Sequence, residues 1–380
     1  MLNDGFRRGT GPHTDPICLA VESLAAKNSG IGRVARLMAR TLEPSASEGC
    51  QWIHAVTLND KKRDTLDWPW VTRCGGRRWE YVLRVQASGI RSRATLYDSL
   101  SMARAHFMGP AGLRPALAWM HGIEVWEHAW PVHLSVARRV NVLMTNSEYT
   151  RRRAAALHPD LELARVCWLG TETDEPIPER PRSHDINQTV LLLARIDLVS
   201  YKGHKELIEV WPEVVTRVPA ARLLIAGGGP GLEAVKDLVR CSPVSSQIEV
   251  LGYIPEAEIQ TLWSRAMVFA MPSRGEGFGL VYIEAMRQGI PVIASRQDAG
   301  QEINVHGETG YNIDLGQPSD LVEALTTLLM DPEKAHAMGV AGRARWRHYF
   351  TWSAFKARFE NILEEVEIGN SRGQSQWRVS

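Results

Sequence analysis

Cysteine is sparse and scattered: the five in 380 residues, Cys18, Cys50, Cys74, Cys167 and Cys241, form no Cys-x-x-Cys pair. An odd, dispersed set fits reduced thiols in a cytosol and argues against a disulfide frame or a zinc site. Long apolar runs are missing as well. The longest are of strand length, far short of the roughly 18 residues that mark a membrane span. The opening stretch MLNDGFRRGTGPHTDP has no apolar segment, so a secretory leader is not expected. His121, His128 and His133 lie near one another but lack a third-ligand pattern, so no metal site is read there. No Asp-x-Asp pair, no repeat of 20 to 50 residues and no low-complexity tract occurs. Net charge is close to zero, at +1, and nucleic acid is not an expected partner.

What remains is a soluble-enzyme composition, 44% apolar and 23% charged, in a chain long enough for two domains of similar size. The neutral total conceals an asymmetry. Residues 1–170 hold 23 Lys and Arg against 15 Asp and Glu, and the remainder holds 21 against 28. Basic clusters at Arg77-Arg78, Arg138-Arg139 and Arg151-Arg152-Arg153 could face an anionic membrane, where each cation near the surface contributes about 1 kcal/mol. They could equally be solvated helix faces.

The densest signal is Pro272-Ser273-Arg274-Gly275-Glu276-Gly277-Phe278-Gly279-Leu280, which follows an apolar strand at 266–271 and runs straight into a helix pattern. Glycine allows close backbone approach and positive φ. The unpaired N–H groups of Gly277, Phe278, Gly279 and Leu280 at a helix start would face an anion, and a diphosphate is the natural guest. Glu276 and Glu284 are eight positions apart, at most about 12 Å along a helix. Each carboxylate can accept from a hydroxyl pair, so one could hold a hexose and the other a ribose.

Upstream, Ile17 to Val21 reads as a buried strand leading to Asn28-Ser29-Gly30-Ile31-Gly32 and a helix, the opening of a Rossmann-like domain. No third glycine follows at dinucleotide spacing, so NAD binding is not expected. A strand at 115–120 delivers His121-Gly122, and open α/β sheets bind ligands at such strand ends. Residues 174–188 carry Pro176, Pro178 and Pro181 among charges and read as an interdomain linker. Beyond it, a strand at 189–194 delivers Arg195, and Lys202 precedes a helix at 203–218. An Arg fork and a Lys point charge brought together suit a diphosphate. Gly227-Gly228-Gly229 is a second glycine turn, and Tyr253-Ile254 follows a strand at 248–252.

Glu276, seven residues and Glu284, inside GEGFGLVYIEAM and followed by GIPVIAS, resemble the signature of the retaining glycosyltransferases of family 4. That resemblance implies the GT-B fold, an α/β architecture of two Rossmann-like domains facing each other across a cleft, with a C-terminal helix crossing back to the first. It places an acceptor-binding domain at 1–173, the linker at 174–188, a donor-binding domain at 189–351, and 352–380 packing onto the first domain. It further implies donor contacts from Gly30, Gly32, Gly227, Tyr253 and Ile254. His121 would reach the donor sugar, Arg195 and Lys202 the diphosphate, Glu276 the hexose and Glu284 the ribose. The Ala194-Arg195 and Lys202-Gly203 pairs match the family's Gly-Arg and Lys-Gly, with alanine replacing a glycine.

The implied activity is metal-independent transfer of a hexose from UDP- or GDP-hexose, with no cofactor, to a glycan or lipid-linked acceptor. Its setting would be bacterial surface polysaccharide assembly, in the cytoplasm or at the inner face of the plasma membrane. A phosphorylase or sugar-nucleotide epimerase on the same fold, or a non-catalytic nucleotide-sugar-binding protein, remains open on sequence grounds.

Overall fold

The computed structural model describes residues 16–25, 29–43, 53–66, 68–122, 124–127, 129–178, 188–197 and 201–371. The expected linker therefore lies partly outside the described residues, at 179–187.

The first half alternates strand and helix: β1 (Ile17–Val21), α1 (Gly30–Leu42), β2 (Ile53–Thr57), β3 (Val71–Arg73), α2 (Arg78–Gly89), β4 (Ala94–Tyr97), α3 (Leu100–Ala103), β5 (Ala116–Met120), α4 (Pro131–Ala137), β6 (Val142–Thr145), α5 (Glu148–Leu157) and β7 (Arg165–Val166). The sheet order is β3-β2-β1-β4-β5-β6-β7. β1 pairs in parallel with both β2 and β4. All five β1 side chains are buried, as a central parallel strand covered on both faces requires.

The second half continues with β8 (Thr189–Leu193), α6 (His204–Arg217), β9 (Arg222–Ala226), α7 (Leu232–Cys241), β10 (Ile248–Gly252), α8 (Glu256–Arg265), β11 (Val268–Ala270), α9 (Leu280–Arg287), β12 (Val292–Ser295), α10 (Gly300–Ile303), β13 (Gly310–Ile313), α11 (Pro318–Met330), α12 (Pro332–Tyr349) and α13 (Trp352–Ser371). Its sheet runs β10-β9-β8-β11-β12-β13. Val190, Leu192, Ile225, Val268 and Ile293 meet Leu207, Trp211 and Val214 of α6 and Leu321, Leu325 and Leu328 of α11 in one core. The strand order reverses between β8 and β11, so the loops after these two strands are neighbours at the point where open α/β sheets place ligands. Arg195 to Lys202 follows β8, and Ser273 to Gly279 follows β11.

Compactness divides the chain into one unit of 1–120, 129–144 and 374–380 and another of 121–128 and 145–373. The sequence places 121–128 and 145–173 with the first domain; by contact they group with the second unit. The reason is local: α5 starts with Ser147 and Thr150 bonded to the Gly277 carbonyl and with its first amides bonded to Glu302. α13 packs on the segment at 168–170 that the sequence assigns to the first domain, with Phe355 against Gly170 and Arg358 donating to the Trp168 carbonyl.

Two elements differ from what the sequence suggests. A single helix is expected at 99–107, but α3 gives way to a 3-10 turn over Arg104–Met108. The weakly patterned stretch before residue 93 contains β3 and α2. α2 buries only Tyr81, Val85 and Gly89, too few apolar positions to show a period.

Candidate functional site

The loop after β11 is shaped by what each glycine must avoid. A Cβ on Gly275 would stand 3.1 Å from the Tyr201 ring, and one on Gly277 would stand 2.5 Å from the His121 carbonyl oxygen. Gly279 has φ +88°, a left-handed conformation that costs other residues energy. Between them Phe278 turns its ring into the core against Phe350, at 6.1 Å and edge-on. Tyr282 is buried one turn on and donates to the Met271 carbonyl at 2.7 Å. The side chains thus anchor the loop from behind. α9 begins at Leu280 with Gly279 as N-cap and no side-chain cap. Among the described residues, the N–H groups of Gly277, Phe278, Gly279 and Leu280 have no acceptor. They carry the positive end of the helix dipole, a ready anion site.

Lys202 lies beside this loop. Its ammonium forms an ion pair with the Glu276 carboxylate, both side chains being largely buried at 16% and 14% exposure, and it sits 4.8 Å above the Tyr201 ring. Gly203, with φ +87°, brings the chain against Pro272, where a Cβ would stand 2.6 Å from the proline ring. The Arg274 amide donates to the Tyr201 carbonyl at 2.8 Å. Lys202 and Glu276 therefore meet because the post-β8 and post-β11 loops are bonded together. Burial pulls the Lys202 pKa down to about 8, with Asp298 and Asp197 opposing the shift. His204, next on α6, is buried and driven down to about 4 by the same cause, so it adds no charge at neutral pH.

Arg195 is less enclosed. Its guanidinium is 74% exposed and pairs with Asp197 at 2.9 Å. Burial raises the Tyr201 pKa, with Asp197 adding to the shift and Arg195 opposing it. The loop is fastened to the second glycine turn: the Ala194 amide donates to Ala226 O at 3.0 Å and the Ile196 amide to Gly228 O at 3.0 Å. Gly227, at φ +141°, could carry no Cβ without striking the Ala194 carbonyl. Its amide donates to Gly252 O at 2.8 Å, which sets Tyr253, 64% exposed, beside Gly228. Ile254 follows it. Glu284 is half-buried on α9.

The remaining sequence candidates fall as follows. His121 follows β5, and its amide donates to Glu124 at 3.0 Å while its carbonyl closes on Gly277. Gly30 and Gly32 open α1 in the other compact unit, where the Ser29 hydroxyl already accepts the Gly32 amide at 3.2 Å.

Two features of the site escape the sequence. Ser147 and Thr150 look like an ordinary helix cap, yet both hydroxyls donate to the Gly277 carbonyl, at 2.6 and 3.2 Å. Asp298, after β12, is fully buried and accepts the Glu276 amide at 3.0 Å and the Gly300 amide at 2.8 Å. Burial pushes its pKa up to about 7, against the Gly300 amide, Ser273, Lys202 and Arg153. An acidic residue between a strand and a glycine is the sequence cue it leaves.

A cavity of about 650 Å³ lies elsewhere, along α5 and α10, lined by Glu148, Tyr149, Arg152, Arg153, Trp168, Gln301 and Glu302. Its charges are paired within and just outside the lining: Glu148 with Arg151 and Arg152, and Arg153 with Glu127. It shares no residue with the α9 site.

An uncapped glycine-shaped helix start stands beside a buried Lys–Glu pair, and Arg195 follows the neighbouring strand at the switch point of the second sheet. The family model for glycosyl transferases group 1 matches residues 176–345. The GDP-mannose-dependent alpha-(1-6)-phosphatidylinositol monomannoside mannosyltransferase of Mycobacterium tuberculosis is 33% identical over 276 residues, covering 67% of this chain and 70% of that protein. The chain belongs to the glycosyl transferases group 1 family. It is a glycosyltransferase. The protein of the same name in Mycolicibacterium smegmatis is 34% identical over 271 residues, covering 67% of this chain and 71% of that one. Among solved structures, Anabaena Alr3699/HepE in complex with UDP and glucose aligns over 92% of this chain and all of its own length, with a TM-score of 0.75 at 17% identity. At that identity the likeness speaks for the fold, and the fold is GT-B.

Proposed function

We propose that this glycosyltransferase moves mannose from GDP-mannose to a lipid-linked saccharide, with retention of anomeric configuration and without a metal ion. The observation that carries the reading is the Lys202–Glu276 pair set against the uncapped start of α9. Glycosyl transfer develops negative charge on the departing diphosphate. The α9 amides face it directly, and the Lys202 ammonium and the Arg195 fork meet it by exchanging their present carboxylate partners, Glu276 and Asp197, for its oxygens. Glu276 would pass from Lys202 to the hexose hydroxyls as the diphosphate takes the ammonium, and Glu284 would hold the ribose. The acceptor hydroxyl would attack from the face the diphosphate leaves, with a phosphate oxygen taking its proton. The GDP-mannose and lipid assignments rest on the names of the mycobacterial relatives.

The lipid setting has support from α2. Tyr81 and Val85 face the core, while Trp79 and Leu83, about half a turn away from them, are 74% and 68% exposed. Arg78, Arg84 and Arg91 are exposed around them. Aromatic and aliphatic side chains ringed by arginine match an anionic bilayer surface. Of the basic clusters in the sequence, Arg151, Arg152 and Arg153 are engaged by Glu148 and Glu127 and Arg77 by Glu80, while Arg78 adjoins the exposed Trp79. Among the described residues no helix is long and apolar enough to cross a membrane.

The test is calorimetric titration with GDP-mannose, UDP-glucose, UDP-galactose and ADP-glucose, followed by release of free nucleotide diphosphate with phosphatidylinositol monomannoside as acceptor, with and without EDTA. Acceptor-dependent GDP release that survives EDTA, with an alpha-linked product, supports the reading. A preference for a UDP-sugar overturns the donor, loss in EDTA the metal-free route, and release without acceptor the transfer itself.

A further inference from the structure

Glu276 is held by its backbone as well as by its side chain. Its N–H donates to Asp298 Oδ2 at 3.0 Å, and its C=O accepts from the Ala299 amide at 3.1 Å. Asp298 Oδ1 meanwhile accepts the Gly300 amide at 2.8 Å, which fixes the carboxylate at the start of α10. The two loops are tied a third time by the Ser295 hydroxyl, which donates to the Ser273 carbonyl. Gly300 leaves little room for a side chain, since a Cβ would stand 3.0 Å from the Tyr282 ring and 3.1 Å from Ala294. Asp298-Ala299-Gly300 is therefore a built clasp. A carboxylate in the core carries a large desolvation cost, and a solvent-side turn would hold a backbone amide without it.

We infer that Asp298 is a positioning residue for the transfer reaction, acting through Glu276: it fixes the backbone from which Glu276 reaches toward both Lys202 and the donor hexose. The inference rests on the donor-site reading above. Glu276 touches substrate in that reading, and Asp298 does not. Loss of the clasp leaves Lys202 and the α9 amides in place, so recognition of the diphosphate survives while orientation of the sugar fails.

The experiment compares Asp298→Asn, Glu276→Gln and the double variant in the full-length chain. Hydrogen exchange reads the clasp without reference to activity: Asp298→Asn speeds exchange of the Glu276 amide at least tenfold and leaves the β9 amides unchanged. Calorimetry with GDP, which has no hexose, gives an affinity within about threefold of the parent. With GDP-mannose and phosphatidylinositol monomannoside, kcat falls tenfold or more while KM for the donor moves less than threefold. The double variant is no slower than Glu276→Gln alone, since removing one of two coupled residues forfeits what the other supplies. Multiplicative losses, or an unchanged Glu276 amide, overturn the inference. So does loss of GDP binding and melting temperature in step with kcat, which would make Asp298 a fold residue only. An inactive parent, or a fully active Glu276→Gln, instead sinks the donor-site reading, and the exchange result still decides whether Asp298 holds Glu276. Should Asp298→Asn not fold, Asp298→Ser, shorter and uncharged, takes its place.

Discussion

The junction before α1 carries Gly30-Ile31-Gly32, and the junction before α9 carries Gly275-Glu276-Gly277-Phe278-Gly279. Both follow a buried parallel strand and both look like phosphate loops in sequence. At α1 the Ser29 hydroxyl accepts the Gly32 amide, and neither glycine has positive φ. At α9 the cap is a left-handed glycine without a side chain, and the neighbouring amides have no acceptor among the described residues. The difference lies in whether the helix start is already satisfied. A glycine pattern shows that the backbone can approach a ligand; an unspent cap and a paired cation nearby show that it has something to offer.

Both loops are nonetheless fixed by the same device. In the first unit the buried Asp98 accepts the Glu22 amide at 2.8 Å, and the buried Asp60 accepts the Leu24 amide at 2.9 Å. In the second unit Asp298 does this for Glu276. Amides held by a buried aspartate are common to the two junctions, and the second also has the buried Lys202–Glu276 pair.

The sharpest way to break the comparison is to remove the buried ammonium beside the α9 junction. Lys202→Ala is expected to lower kcat/KM at least a hundredfold, about 2.7 kcal/mol of transition-state stabilisation. Arg195→Ala should cost closer to tenfold, because its guanidinium is mostly in water and already shared with Asp197. Equal losses in the two variants, measured under the same donor and acceptor conditions, would mean that burial of Lys202 is not what distinguishes this junction.

How much of this was legible beforehand follows from where the information sits. The strands delivering Arg195, Gly227, Tyr253 and Glu276 are short apolar runs ending in glycine or charge, a local pattern that a single sequence displays. The pairing of Lys202 with Glu276 joins loops more than seventy residues apart, and only their common place at the switch point brings them together. Asp298 gave little away because an acid two positions before a glycine, after a strand, reads as a surface turn. Ser147 was visible as a cap, but not its bond to Gly277, 130 positions away. α2 was hidden by Trp79 and Leu83, apolar residues on the face that the core does not use.

The next effect is on stability and separates the two clasps by pH. Asp298 has a pKa of about 7 in the folded chain against an ordinary 3.8, so between these values the native state keeps a proton that the unfolded chain has released. Stability on this account is greatest at the acid end and declines as pH rises from about 4 through 7. Lys202 runs the other way in a separate window: at about 8 against 10.5 it gives up its proton early, so stability rises with pH from about 8 to 10. Asp298 feels Lys202, Arg153 and Ser273, and its own charge is felt by Tyr149 and Tyr282. Urea unfolding at pH 5, 6, 7 and 8 should show the parent losing stability as pH rises while Asp298→Asn, which has no proton to release, stays level. Parallel curves would mean that Asp298 is ionised throughout and that its burial has been offset by its partners.

The smallest effect tests the α1 side. Ser29→Ala removes the hydroxyl that accepts the Gly32 amide, and loss of such an N-cap costs about 1 kcal/mol. The free amide then resembles those before α9 in lacking a side-chain acceptor. If an open helix start were sufficient for anion binding, Ser29→Ala would acquire affinity for inorganic pyrophosphate in the Lys202→Ala background, where the α9 site is weakened. Titration of the double variant should show none, with only the melting temperature lowered by a few degrees. A new pyrophosphate site would show instead that capping alone separates the two junctions, and that the buried ammonium matters less than the geometry of the amides.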